Sequence, residues 1–149
     1  VMSHISPDGP VYQAGTLSAN PVAMAAGFAA LKQLLEPGFY EGLEAKTKRL
    51  ADRLQTFALK HDLPMHVQQI ASIFWLAFTR DRVVRADQID AASMEHFKNL
   101  HRELLKRGVY LGPSGYEVGF VSAAHTEQDL DEAASIMEEC LHLVFKTSK

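Results

Sequence analysis

The chain has 149 residues, of which 47% are hydrophobic and 22% charged, as expected for one soluble globular domain with a real core. The net charge is −3 and the basic residues are spread along the chain, so no basic face indicates a nucleic-acid or membrane-surface partner. No apolar run approaches the ~20 residues of a membrane-spanning helix, and the single cysteine, Cys140, favours a reducing, cytoplasmic setting.

The first predicted helix begins at Asn20-Pro21, because asparagine is a good N-cap and proline suits the first helical turn. It runs to the helix-ending pair Pro37-Gly38. Alanine and glycine cover most of its circumference, which predicts a helix that is buried on more than one side.

Three amphipathic helices are predicted further along the chain, at about 39–61, 90–107 and 127 onward. Gly108 is a typical C-cap for the second of these, and Thr126 with Asp129 forms a Thr-x-x-acid N-cap for the third. Lys46, Lys48 and the acidic residues between the apolar stripes are predicted to face solvent. The expected core-facing side chains are Leu43, Leu50, Leu54 and Phe57; Met94, Phe97, Leu100, Leu104 and Leu105; and Leu130, Ala133, Met137, Leu141 and Val144.

Strands are predicted at 65–70, 73–79, 109–111 and 120–123, with a further short one around 11–13. After two leading helices, this gives the order β-β-α-β-β-α. The expected fold class is α/β, or α+β for the part after the leading helices, with a small open sheet and helices packed on it.

Familiar catalytic and metal motifs are missing from the sequence. There is no HExxH or CxxC for zinc, no GxxxxGK[ST] or GxGxxG for phosphates or dinucleotides, and no GxSxG nucleophile elbow. Two loops remain as candidates for chemistry.

The first candidate loop is 12–21, where Thr16 and Ser18 place hydroxyl groups just before a predicted helix N-terminus. Small residues, exposed amides and the helix dipole together suit an anion, particularly phosphate. The alternative is that Ser18 and Asn20 only cap the helix while Gly15 permits a turn.

The second candidate loop is 112–120, where Glu117 stands among glycines and next to an aromatic residue. Its carboxylate could face a cleft, or the loop could be a hairpin with one exposed acid. His125 could likewise touch a ligand, or it could simply end a strand and begin a helix.

These two loops carry a resemblance to a known family. The segments Val11–Gly27 and Gly108–Thr126, and more loosely Ala71–Phe74, resemble the glutamate-1-semialdehyde 2,1-aminomutases of the class III aminotransferase family. The likeness covers nearly the whole chain, in order. Ala19 and Ala71 stand where glycine is usual, and Ala19 is expected to adopt ordinary backbone angles.

The resemblance implies the C-terminal part of a fold type I enzyme that uses pyridoxal 5'-phosphate, with pyridoxamine phosphate in the cycle. The implied activity is an isomerase that converts glutamate 1-semialdehyde to 5-aminolevulinate for tetrapyrrole synthesis. Gly15 and Thr16 would contact the phosphate of the cofactor in the neighbouring subunit of a homodimer. Glu117 would line the substrate side, where related aminotransferases hold a carboxylate with arginine; an acid there disfavours a carboxylate.

The resemblance also implies a division of the chain into two parts. Residues 1–38 would be the end of the cofactor-binding domain with a connecting helix, and 39–149 the small C-terminal domain, a mostly antiparallel sheet covered by helices. The Schiff-base lysine would precede Val1, so this chain is expected to be a fragment that holds no catalytic residue and is inactive alone. Two alternatives stay open: another class III aminotransferase acting on an ω-amino acid or amine, and a non-catalytic interaction module on the same scaffold.

Overall fold

The computed structural model of the chain describes residues 1–146, and these form two compact units that divide between Phe39 and Tyr40. The first unit contains a short 3-10 helix, Met2–His4, and one long helix, α1, Pro21–Leu34. The strand predicted at 11–13 is reduced to a single parallel bridge between Ile5 and Val11.

Helix α1 begins where the sequence predicts, because Asn20 caps it. The Asn20 side chain accepts hydrogen bonds from the backbone N–H groups of Val22 and Ala23, at 3.1 and 3.2 Å. The prediction of a buried helix is wrong for this chain, since α1 has no buried residue. Its apolar side chains, such as Phe28 at 72% exposure, form an apolar surface instead.

The second unit is an antiparallel sheet with helices packed on it, which confirms the expected fold class. Its elements are α2, Phe39–Lys60; β1, His66–Ile70; β2, Ile73–Ala77; α3, Met94–Lys106; β3, Gly119–Phe120; and α4, Glu127–Lys146; with 3-10 turns at Ala86–Gln88 and Ala91–Ser93 before α3. The strand order is β1-β2-β3, with His66 opposite Ala77 and Ile73 opposite Phe120. Among the described residues, no helix is long and apolar enough to span a membrane.

One predicted strand, 109–111, does not form, because its first residue closes the end of α3. The N–H of Val109 donates to the carbonyl of Leu104, at 3.0 Å, and the N–H of Gly108 donates to that of Leu105. Gly108 has a φ of +83°. This is the Schellman arrangement that glycine favours after a helix, and it confirms the C-cap prediction.

The core of the second unit lies where α2, α3 and α4 meet the sheet. The predicted stripes are largely correct, except that Leu105 is 54% exposed. Cys140 is fully buried, and burial raises the pKa of its thiol despite a hydrogen bond from Arg107. The core side chains with the least exposure are Leu54, Leu100, Leu104, Met137, Cys140 and Leu141.

Charged groups on α2 and α4 pair with one another, and of the acids involved Glu127 and Asp131 face solvent as predicted, at 56% and 59% exposure, whereas Glu138 does not. Arg53 makes two hydrogen bonds to the carboxylate of Glu138, at 2.8 and 2.9 Å, and Glu138 is only 22% exposed. Arg49 pairs with Glu127 and Asp131 in the same interface. A planar guanidinium suits such two-point contact with a carboxylate, so Arg53 and Glu138 form a direct link between the two helices.

The N-terminus of α4 carries the capping box that the sequence predicts. The hydroxyl of Thr126 accepts from the N–H of Asp129 at 3.1 Å, while the Asp129 carboxylate accepts from the N–H and the hydroxyl of Thr126. These hydrogen bonds lower the pKa of Asp129.

We therefore expect Thr126→Ala to reduce the free energy of unfolding by about 1 kcal/mol, measured by urea denaturation. The control is Thr56→Ala, since the Thr56 hydroxyl donates only within its own helix, to the carbonyl of Asp52. Equal losses in the two variants would contradict the capping role. Because the pKa of Asp129 is lowered by folding, its contribution is present above the ordinary value of 3.8 and is lost as the pH falls below it.

The two alanines that replace glycine in the resemblance both adopt left-handed backbone conformations. Ala19 has a φ of 57° and Ala71 a φ of 49°, so the expectation of ordinary angles for Ala19 is wrong. Ala71 is the first of two residues that join β1 to β2, a position that favours glycine in short hairpins. Ala19 directly precedes the cap of α1, after the turn in which Ser18 N–H donates to the carbonyl of Gly15.

Substituting Ala71 by glycine is therefore expected to stabilise the chain by up to about 1 kcal/mol. The side chain opposes this conformation, and its removal outweighs the extra freedom gained by the unfolded chain. The measurement compares the urea midpoints of Ala71→Gly and of a control, Ala92→Gly. Ala92 is a suitable control because it lies in a 3-10 helix and has no positive φ. A loss of stability in Ala71→Gly as large as that in Ala92→Gly would contradict the argument.

Candidate functional site

A cavity of about 450 Å³ in the second unit brings two of the singled-out residues, Glu117 and His125, to one place. It is enclosed by the segment from Val109 to Val121 and by α4. Its polar side chains are those of Tyr110, Glu117, His125 and Asp129, and the remaining walls are mostly apolar. A concave apolar site with a few convergent polar groups is the usual form of a small-molecule site.

Glu117 is exposed, and its carboxylate lies against the backbone of Gly112. A Cβ atom built on Gly112 would stand 1.9 Å from Oε2 of Glu117, so a side chain at position 112 would displace this carboxylate. The N–H of Glu117 donates to the carbonyl of Ser114 at 3.0 Å. The loop thus presents the acid at the cavity, and its role toward a substrate stays a prediction.

The loop is fixed to the sheet by Trp75 of β2. The indole N–H of this half-buried residue donates to the carbonyl of Gly115 at 2.7 Å. A Cβ on Gly115 would lie 2.5 Å from the sulfur of Met94, so the loop also packs closely on α3. Both contacts restrict where Glu117 can lie.

His125 is held by its own turn and by a lysine on α2. Its Nδ1 accepts from the N–H of Ser122 at 3.0 Å, which assigns the proton of the neutral ring to Nε2. The ammonium group of Lys46 donates to the carbonyl of His125 at 2.8 Å. Lys46 is half-buried, so its prediction as a solvated charge is wrong. Its spacing from Leu43 and Leu50 places it on the apolar stripe, a signal that the sequence analysis missed.

The carboxylates of Glu117 and Asp129 give this cavity an acidic edge. Hydrogen bonds from Thr126 lower the pKa of Asp129, so it is ionised at neutral pH. Negative groups at a partly enclosed site attract ammonium groups and repel carboxylates. Among residues 1–146, no group of three or more His, Cys, Asp or Glu side chains could hold a metal ion.

Gly15 and Thr16 lie in the first unit, in an exposed turn before α1. The turn is closed by two backbone bonds, Ser18 N–H to Gly15 and Asn20 N–H to Leu17, at 2.9 and 3.1 Å. Ser18 does not cap the helix; its hydroxyl lies over Gly15, within 2.1 Å of where a Cβ would be.

Donors for a phosphate remain in this turn. Within the described part of the chain, the N–H and hydroxyl groups of Thr16 have no hydrogen-bond partner, while Asn20 already occupies the N–H groups of Val22 and Ala23. The residues therefore fit a phosphate at Thr16 better than at the helix terminus itself. The contact with a cofactor stays a prediction.

Comparison with known proteins gives a consistent result. The family model for class III aminotransferases matches residues 1–141. A transaminase structure with PLP bound is 26% identical, with a TM-score of 0.73 over 98% of this chain and 33% of that one. Two less identical structures show likeness of fold. An omega-transaminase from Sphaerobacter thermophilus has 22% identity and a TM-score of 0.78, over 96% of this chain and 33% of its own.

The other is a glutamate-1-semialdehyde aminomutase from Pseudomonas aeruginosa PAO1 in complex with PMP. It has 20% identity and a TM-score of 0.74, over 93% of this chain and 31% of its own. The chain thus spans about a third of the length of the solved structures that it matches. Since the family model extends from residue 1 to 141, the chain belongs to the class III aminotransferase family.

Proposed function

We propose that the chain is the C-terminal part of a glutamate-1-semialdehyde 2,1-aminomutase, which converts glutamate 1-semialdehyde to 5-aminolevulinate for tetrapyrrole synthesis. Family membership supports an aminotransferase or aminomutase parent. Likeness of fold extends equally to an omega-transaminase and an aminomutase, so the choice depends on the site. The observation that favours the aminomutase is the position of Glu117, an acid at the edge of the cavity.

In this proposal, the negative charge of Glu117 selects between substrates. Ordinary aminotransferases exchange amino and keto acids, whose carboxylates are commonly held by arginine through paired hydrogen bonds. A carboxylate in the cavity repels that group and favours an ammonium group. The side chain thereby disfavours the C1 carboxylate of an amino acid or keto acid. Glutamate 1-semialdehyde has an aldehyde at that position, and its one carboxylate, at C5, would lie away from Glu117.

The cofactor in this proposal is pyridoxal 5'-phosphate, which passes through the pyridoxamine form. Membership of the class III family supports it, and the matched structures include one with PLP and one with PMP. When bound, it supplies an aldehyde carbon that takes up amines and a ring that accepts electrons. The open N–H and hydroxyl donors of Thr16 would hold its phosphate.

The proposal extends to the assembly. The resemblance implies that Gly15 and Thr16 would contact the cofactor of a neighbouring subunit, and a homodimer would then complete each site. The lysine that binds the cofactor would lie outside this chain, and the site in this chain would then serve binding and substrate selection.

The test supplies the full-length protein with glutamate 1-semialdehyde and no keto acid, and measures 5-aminolevulinate per active site. An aminomutase gives many equivalents, because the nitrogen returns to the cofactor in each cycle. Another class III aminotransferase stops after one half-reaction, and a keto acid restores its turnover. A non-catalytic interaction module shows no turnover in either condition. Either of the last two outcomes would overturn the proposal.

A further inference from the structure

A second cavity in the second unit has a volume of about 620 Å³. Its lining is rich in basic groups, in contrast to the acidic edge of the Glu117 cavity. It shares no lining residue with the Glu117 cavity. It is formed at the C-terminal ends of α2 and α4, beside the first turn of α3 and the residue Arg80 after β2. Its charged and titratable lining groups are His61, Asp62, Arg80, His96, His142 and Lys146.

Aromatic contacts hold the three imidazole rings of this cavity. The ring of His61 lies 4.3 Å from that of Phe57 and 5.5 Å from that of His142, centre to centre. The ring of His96 lies 4.9 Å from that of Phe145. No residue between positions 1 and 146 forms a hydrogen bond with any of these three imidazoles, so the ring nitrogens are available to a ligand.

The charge balance of the cavity favours an anion. Asp62 is its one acidic lining residue in the described chain, and Arg80 donates to its carboxylate at 2.7 Å. Lys146 has no acidic partner within residues 1–146. With the imidazoles counted as neutral, the described lining carries a net charge of +1, from Arg80, Lys146 and Asp62. The C-terminal helix dipoles of α2 and α4 oppose this with about half a negative charge each, so binding of an anion depends on direct hydrogen bonds from the side chains of the lining.

A metal ion is a poorer fit to the same residues. No group of three or more His, Cys, Asp or Glu side chains within the described chain is arranged to hold one. Two permanent cations, Arg80 and Lys146, would also repel it.

We propose that the cavity lined by His61, His142, Arg80 and Lys146 binds a doubly charged oxyanion, the chemistry shared by inorganic phosphate and a phosphomonoester. Arg80 retains guanidinium donors beyond those used by Asp62, since it has five N–H groups. Lys146 adds an exposed cation. The imidazole rings of His61 and His142 add further hydrogen-bonding groups to the lining.

The experiment titrates the 149-residue chain with sodium sulfate at pH 8, at constant ionic strength, while following the histidine ring signals by NMR. Sulfate, phosphate and phenyl phosphate are all mainly dianions at this pH, so they can be compared directly. The variants are Lys146→Gln and His142→Gln; two are used because half-buried His142 also packs against His61. The control is Lys48→Gln, which removes the same charge from a lysine that is 63% exposed and paired with Asp52.

The expected result is saturable shifts of the His61 and His142 ring signals. Affinity should fall about fivefold or more in Lys146→Gln and in His142→Gln, and stay unchanged in Lys48→Gln. The proposal is overturned by shifts that do not saturate, or by an equal loss in Lys48→Gln. Repeating the titration with phosphate and phenyl phosphate shows whether the preferred ligand is the inorganic ion or an organic phosphate. Tighter binding of phenyl phosphate indicates an organic phosphate that packs on Phe145, and equal binding indicates the inorganic ion.

Discussion

Replacing Leu100 by alanine is expected to lower the free energy of unfolding of the chain by about 3 kcal/mol, within the range found for buried leucines. Leu100 is 0% exposed and lies on α3, in the core formed with α2, α4 and the sheet. Deleting its side chain removes buried apolar surface and leaves a cavity that close packing cannot fill without strain.

The matched control lies on the same helix. Leu105 is 54% exposed, so Leu105→Ala is expected to change stability by less than about 1 kcal/mol. Both variants are compared by urea denaturation followed by circular dichroism. A loss in Leu105→Ala as large as that in Leu100→Ala would show that the core does not lie where the structure puts it.

Replacing Thr16 by valine in the full-length protein is expected to weaken pyridoxal phosphate binding about 10- to 100-fold. Valine keeps the shape of threonine but removes the hydroxyl, and hydrogen bonds to charged groups are each worth about 1.5–3 kcal/mol. The effect is measured by cofactor titration of the apo protein. The expectation depends on the proposed role of the Gly15–Thr16 turn.

Thr16→Ser is the control for this prediction, because it retains a hydroxyl donor and should bind the cofactor nearly as well as the unaltered protein. If valine and serine variants bind equally, the Thr16 hydroxyl does not hold the phosphate. A loss of dimer in the valine variant, measured by sedimentation, would instead assign Thr16 to assembly alone.

Features that depend on neighbouring residues could be predicted from the sequence. Asn20 and the Thr126–Asp129 pair mark the starts of α1 and α4, and Gly108 marks the end of α3. Each is a hydrogen-bonding arrangement within five residues, so local sequence contains all of its parts. The loop bearing Glu117 was recognisable for the same reason, since Gly112 and Gly115 lie within a few residues of it.

Features that depend on distant residues could not be predicted in this way. Lys46 bonds to a carbonyl 79 positions away, and Arg53 to a carboxylate 85 positions away. Leu104 and Leu105 are adjacent in sequence, yet only the first meets the core, because the neighbouring elements decide where the buried stripe ends. Burial of α1 was predicted from composition alone, which does not say what packs against a helix.

The strained backbone at Ala71 could not be predicted from the sequence either. Alanine favours ordinary angles by itself, but the two-residue connection between β1 and β2 forces Ala71 into a positive φ. The hairpin register, with Ile70 opposite Ile73, leaves no longer loop to relieve it. Here the pairing of the strands outweighs the preference of one residue.

The proposed division of roles assigns phosphate contact and substrate selection to this chain and the cofactor-binding lysine to another part of the protein. The most direct test is to incubate this chain with pyridoxal phosphate, reduce it with borohydride and map the modified lysines. Scattered, substoichiometric labelling is expected, since Lys46 is engaged by backbone carbonyls and Lys48 by Asp52. One lysine labelled to completion would place a cofactor site within these 149 residues and contradict the assigned roles of Thr16 and Glu117.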